Sequence, residues 1–97
     1  MQITLPHEGT QADGIAHVKK LLEENRAKIE ENVSNLKAEW QNEVLSFSFD
    51  TQGSHIEGTL TVLDKQYDLY AKLPLALRLF EGTIERMIAT EAKKMEL

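Results

Sequence analysis

The chain contains 97 residues, of which 41% are hydrophobic, and it has no cysteine and a net charge of −5. This length supports one modest hydrophobic core and predicts a single domain over residues 1–97. The acidic balance argues against a nucleic-acid partner, and the lack of cysteine excludes disulfides and thiolate metal sites. No apolar run is long enough for a membrane span and no secretion signal is visible, so a cytoplasmic location is expected.

A short strand and a helix come first along the chain. Residues 2–5 alternate between polar and apolar side chains, which predicts an edge strand that stops at Pro6. Thr10 with Asp13 three residues later is typical of a helix start, with Thr10 as the N-cap. Apolar residues then recur at helical spacing, and the first helix is predicted to end near Asn32.

Period-two alternation dominates residues 36–73 and predicts a four-stranded antiparallel meander with one apolar and one polar face. Asn42 and Gly53 are expected in its turns, because both residue types tolerate positive φ. Gly58 lies inside a strand on the apolar face, which indicates a bulge or the close approach of a helix. The aromatic residues expected to fill the core are Trp40, Phe47, Phe49, Tyr67 and Phe80.

A second helix is predicted after Pro74, which ends the last strand and suits a first helical turn. The predicted fold class is α+β in the order β-α-β-β-β-β-α, an antiparallel sheet with two helices packed on one face. The apolar face predicted for the second helix contains Leu77, Phe80, Ile84, Ile88 and Met95.

Leu75 and Leu79 lie on the opposite side of that predicted helix, and Gly82 falls near them. Apolar side chains exposed beside a glycine can mark a contact site, so these three residues form a predicted interaction patch. The alternative is that the first strand or a loop covers both leucines. A homodimer through an edge strand or through this patch is a further expectation.

The polar residues offer little catalytic chemistry. His17 is expected to be solvated on the outer helix face, and His55 with Glu57 lacks the further donors that a metal site needs. His7 follows Pro6 and is predicted to be a structural loop residue that bonds the backbone. We therefore predict no catalytic residues, no metal ligands, no cofactor and no enzymatic activity.

Several short motifs follow one another along nearly the whole chain: Pro6-His7, Trp40, residues 45–48, residues 58–62, Leu73-Pro74, Phe80, Gly82 and Ile84. In their order and spacing, these motifs resemble a small bacterial family, the polyhydroxyalkanoic acid system proteins. The resemblance implies a place in the metabolism of polyhydroxyalkanoate storage polymer, but it supplies no catalytic residues. Members tend to be basic at the start of the last helix, whereas Glu81 and Thr83 flank Gly82 here, so a contact that needs cations is not expected.

Two functions are consistent with the resemblance and with the residues. The first is a non-enzymatic accessory protein that binds the storage-granule surface or a granule-associated protein, and so associates with granules in the cytoplasm. The alternative is a small carrier or sensor of an apolar hydroxyacyl or fatty-acid ligand, by analogy with helix-grip folds. The aromatic count argues against the alternative, because a core filled by these residues leaves no ligand-sized void.

Overall fold

A computed structural model describes residues 1–94 of the chain. The α+β class is confirmed, with an antiparallel five-stranded sheet, but each predicted helix is divided in two. The elements are β1 (Gln2–Pro6), α1 (Gln11–Glu24), α2 (Arg26–Asn32), β2 (Ser34–Gln41), β3 (Val44–Thr51), β4 (Ser54–Leu63), β5 (Gln66–Lys72), α3 (Leu75–Arg78) and α4 (Glu81–Lys94).

The sheet has the order β1-β5-β4-β3-β2, so the predicted meander is confirmed and β1 is the predicted edge strand beside β5. Asn42 and Gly53 adopt positive φ values of 56° and 79° in the hairpin turns, as expected. One row of apolar partners crosses the whole sheet through Ile3, Leu69, Leu60, Leu45 and Trp40.

The first helical segment breaks at Asn25. Thr10 caps α1 as predicted, through a capping box in which Thr10 and Asp13 bond each other's backbone N–H. Asn25 ends α1, and its side-chain amide donates to the Leu21 carbonyl at 2.8 Å. The following helix α2 has no side-chain cap and no buried residue, so it lies loosely over the sheet.

The core lies where α1 and α4 meet the sheet. Val62 and Tyr67 are directly opposed on β4 and β5 and are 0% and 1% exposed. Val18 of α1 and Ala92 of α4 belong to the same buried cluster. Both helical segments therefore pack on one face of the sheet, as the amphipathic pattern predicts.

The prediction that all five aromatic residues fill the core is wrong. Tyr67 is buried, but Trp40, Phe47 and Phe49 are only half-buried, and Phe80 is 58% exposed. Phe80 lies in the break between α3 and α4. Its direction therefore does not follow from the spacing of residues in one continuous helix. Met95, assigned to the same helical face, lies outside the described residues.

Gly58 is explained by a close approach, although not that of a helix. The pairing of β4 with both neighbours is regular at this position, so there is no bulge. A Cβ atom at Gly58 would overlap the carbonyl oxygen of Tyr70 and come within 2.9 Å of the Phe47 ring. The glycine thus makes room for the β5 backbone and for an aromatic ring.

Candidate functional site

The first candidate is a group of exposed apolar residues in α3, at the start of α4 and in the connection between them, here called the α3–α4 patch. It comprises Leu75, Leu79, Phe80 and Met87, which are 77%, 87%, 58% and 62% exposed, together with Gly82. Gly82 is open, since a Cβ atom there would meet nothing within 4 Å. Neither β1 nor a loop covers Leu75 or Leu79, which are neighbours four positions apart.

The patch is exposed because only the far end of α4 joins the core. Ala92 is buried, and Ile88 and Ala89 pack against the core cluster. The start of α4 is held by an ion pair instead, with the Met1 ammonium 2.8 Å from Glu81 Oε1. Glu81 thus has a structural partner in this chain.

The second candidate is an apolar groove between the helices α1 and α2 and the sheet face of β2 and β3. Its volume is about 550 Å³, within the range typical of small-molecule sites. The groove exists because α2 buries none of its residues and leaves the strands beneath it partly uncovered. The apolar side chains that line it include Leu22, Ile29, Leu36, Trp40, Phe47 and Phe49.

Charged side chains stand at the edge of this groove. The Lys19 ammonium lies 5.5 Å from the centre of the Trp40 ring, a cation–π distance. Arg26 Nε donates to Glu30 Oε1 at 2.9 Å, and Glu23 also lies along the edge. The groove therefore combines an apolar floor with at least one ammonium group at its rim.

His7 is fixed by backbone bonds on both ring nitrogens. Its Nδ1 accepts the Gly9 N–H at 3.1 Å, so Nε2 carries the proton and donates to the Leu63 carbonyl at 2.7 Å. The ring lies 4.5 Å from that of Tyr67, whose pKa is raised by burial. This geometry ties the loop between β1 and α1 to the end of β4.

The expectation that His17 is fully solvated is wrong. His17 is half-buried, and its Nε2 is buried with no hydrogen-bond partner among the described residues. Its side chain lines a depression together with His7, Tyr67 and Lys93, which places the last turn of α4 near this face of α1. The spacing of apolar residues within α1 gives no indication that α4 lies near this face.

His55 has a closer partner than the one predicted. Its Nδ1 lies 2.6 Å from Asp50 Oδ1, the residue opposite on β3, while Nε2 is 3.7 Å from Glu57. The bond to Asp50 raises the pKa of His55. Asp50 also accepts a 2.7 Å hydrogen bond from Asn35, and this bond, followed by that to His55, lowers the pKa of its carboxyl group.

Within residues 1–94, no three His, Cys, Asp or Glu side chains are placed to share a metal ion. The same residues contain no helix that is both long and apolar enough to cross a membrane. The polar clusters around His7 and His55 hold loops and strands in place.

Sequence reasoning found two leucines of the patch but missed its extent and missed the groove. The predicted apolar face of the second helix includes Phe80, which is exposed, because that prediction assumes one continuous helix. The only sequence signal for the groove was Asn25 followed by Arg26, two polar residues that interrupt the apolar stripe of the first helix. That interruption coincides with the break that separates α1 from α2.

Comparison with known proteins gives one match. No curated protein and no solved structure matches the chain significantly. The family described as "Putative polyhydroxyalkanoic acid system protein" matches residues 1–95, nearly the whole length. The chain therefore belongs to the polyhydroxyalkanoic acid system protein family.

Proposed function

We propose that the protein is a non-enzymatic accessory of polyhydroxyalkanoate storage, acting in the cytoplasm at the granule. It binds the polymer surface, or a protein resident there, through the α3–α4 patch. The observation that carries this proposal is the exposure of four large apolar side chains between Leu75 and Met87. The family membership supplies the polymer context.

The physical argument is the cost of leaving this patch in water. Four of the five large hydrophobic side chains recorded as exposed in residues 1–94 belong to this single segment. Burying apolar surface against a polyester or an apolar protein face releases about 25 cal/mol per Å². The four exposed side chains are uncharged, so the attraction is mainly hydrophobic.

Co-sedimentation with purified polyhydroxybutyrate granules tests the proposal. The wild-type protein is expected to pellet, and the Leu75→Glu/Leu79→Glu variant is expected to remain in the supernatant. Both leucines are more than three-quarters exposed, so the variant should retain its circular dichroism spectrum and melting temperature.

A matched control separates lost apolar contact from added negative charge. Ala27→Glu/Gln52→Glu adds the same charge at two exposed positions away from the patch and should pellet like the wild type. If both variants lose granule binding equally, the loss is due to electrostatic repulsion by the added negative charge. A wild-type protein that never pellets with the granules would overturn direct granule binding.

The groove under α2 supports a second function, the binding of an apolar acyl ligand. Its volume of about 550 Å³ and its aromatic floor fit an alkyl chain, and Lys19 could face the carboxylate. We expect decanoate or 3-hydroxydecanoate to raise the melting temperature, because a ligand that binds only the folded state stabilises it.

A groove-filling variant distinguishes this binding from non-specific adsorption. Ile29→Trp places a larger ring in the groove and should abolish the thermal shift, whereas Ala27→Trp, on an exposed position of α2 outside the groove, should keep it. Identical shifts in both variants would exclude the groove as the ligand site.

A further inference from the structure

The two edges of the sheet differ in how they are protected against pairing with another strand. In β1, the bonds from His7 N–H to Lys65 and from Ala71 N–H to Met1 show that odd-numbered residues bond β5. Pro6 therefore faces outward, where it offers no N–H donor. This edge is short and carries a residue that blocks strand addition.

The opposite edge, β2, has no such block after its bulge between Ser34 and Lys37. The hairpin of β2 and β3 closes on the pair Gln41–Val44 through a two-residue connection, which makes that pair hydrogen-bonded. By alternation, Ala38 and Trp40 direct their backbone N–H and C=O groups away from β3. No strand of residues 1–94 accepts these groups.

We propose that β2 pairs antiparallel with β2 of a second copy of this chain, about a two-fold axis at Ala38. Ala38 then forms a hydrogen-bonded pair with its own equivalent, which matches the outward direction of its backbone groups. Lys37 stands opposite Glu39 of the second copy, and this ion pair occurs twice by symmetry.

Charge selects this register over its neighbours. A two-fold axis at Lys37 would place two ammonium groups directly opposite each other, and an axis at Glu39 would do the same with two carboxylates. Like charges directly opposite across strands are unfavourable, whereas opposite charges stabilise the pair. The strand is therefore self-complementary in charge when the axis lies at Ala38.

The apolar face of β2 gains cover in the same arrangement. Ala38 is exposed and Leu36 and Trp40 are only half-buried, although all three lie on the apolar side of the sheet. In the proposed register, Leu36 stands opposite Trp40 of the second copy, again twice. The pairing thus protects the edge strand and covers apolar side chains that this chain alone leaves partly in water.

Sedimentation velocity over a concentration series tests the proposal through charge reversal. The wild type should show a reversible monomer–dimer equilibrium, and Lys37→Glu or Glu39→Lys alone should weaken it at least about tenfold, since each creates like-charged pairs. The double variant Lys37→Glu/Glu39→Lys restores opposite charges and should dimerise like the wild type. The β3 residues directly opposite these positions are the uncharged Ser48 and Ser46.

Mixing the two single variants gives the sharpest result. One carries two acidic and the other two basic residues at positions 37 and 39, so a one-to-one heterodimer should form where each alone stays monomeric. A wild type that stays monomeric at its solubility limit would overturn the proposal. So would a dimer that none of these substitutions changes, which would place the interface elsewhere, for example at the α3–α4 patch.

Discussion

The apolar face of the sheet is covered well at one side and poorly at the other. On the β1–β5–β4 side, Val62 and Tyr67 are almost fully buried beneath α1 and the end of α4. On the β2–β3 side, Trp40, Phe47 and Phe49 are half-buried along an open groove. Both sides show the same alternation of apolar and polar residues, so alternation by itself does not determine burial.

The difference comes from how closely each helix approaches the strands. Gly14 allows α1 to lie directly on β4, because a Cβ atom there would come within 2.6 Å of Val62 Cγ1. The break at Asn25 then releases α2, which buries no residue. The covered side is held by close packing, while the open side is held by exposed bonds such as Asn35–Asp50–His55.

Truncating one aromatic ring on each side should show the largest contrast. Tyr67→Ala removes a fully buried ring and should lower the free energy of unfolding by about 4 kcal/mol. Phe49→Ala removes a half-buried ring and should cost about half as much. Urea denaturation followed by circular dichroism measures both, with Tyr67→Leu as a milder variant if Tyr67→Ala is unfolded in water. Equal losses would mean that the groove is closed in solution.

Replacing glycine by alanine should change the stability of the protein in opposite directions in the two helical segments. Gly14→Ala pushes α1 off Val62 and should cost about 2 kcal/mol, the usual effect of overpacking. Gly82→Ala enters open space and should stabilise α4 by about 0.5 kcal/mol, because it restricts the unfolded chain. Urea midpoints at constant slope report both changes, and a neutral Gly14→Ala would contradict the close contact of α1 with β4.

The strands could be predicted from the sequence, whereas the breaks and the burial of the helices could not, for a physical reason. A strand's faces follow from its own alternation, so the meander, the edge strand and the turns at Asn42 and Gly53 were predictable. The burial of His17 and the exposure of Phe80 depend on where a second helix ends or breaks. The positions where a helix ends or breaks depend on packing between segments distant in the sequence. The apolar spacing within one helix carries no information about that packing. Leu75 and Leu79 were identifiable because they lie four positions apart, on the side of the predicted helix opposite Leu77 and Ile84.

The smallest expected effect concerns the pair Asp50–His55 on the open side. The bond to Asp50 raises the pKa of His55 above its ordinary value of 6.5, so its stabilising contribution is present below about pH 6.5 and is lost as the pH rises through the folded-state pKa. Asp50 has a pKa lowered from 3.8, so its contribution is lost only as the pH falls through that lowered value. The pair therefore supports the fold most between these limits.

Titration of the histidine ring signals by NMR measures this directly. Asp50→Asn should bring the pKa of His55 back towards 6.5, and Glu57→Gln should lower it less, because Asp50 lies at 2.6 Å and Glu57 at 3.7 Å. An unchanged His55 titration in Asp50→Asn would show that the exposed pair does not persist in solution. The open side of the sheet would then depend on its backbone ladder and on whatever covers the groove and the β2 edge.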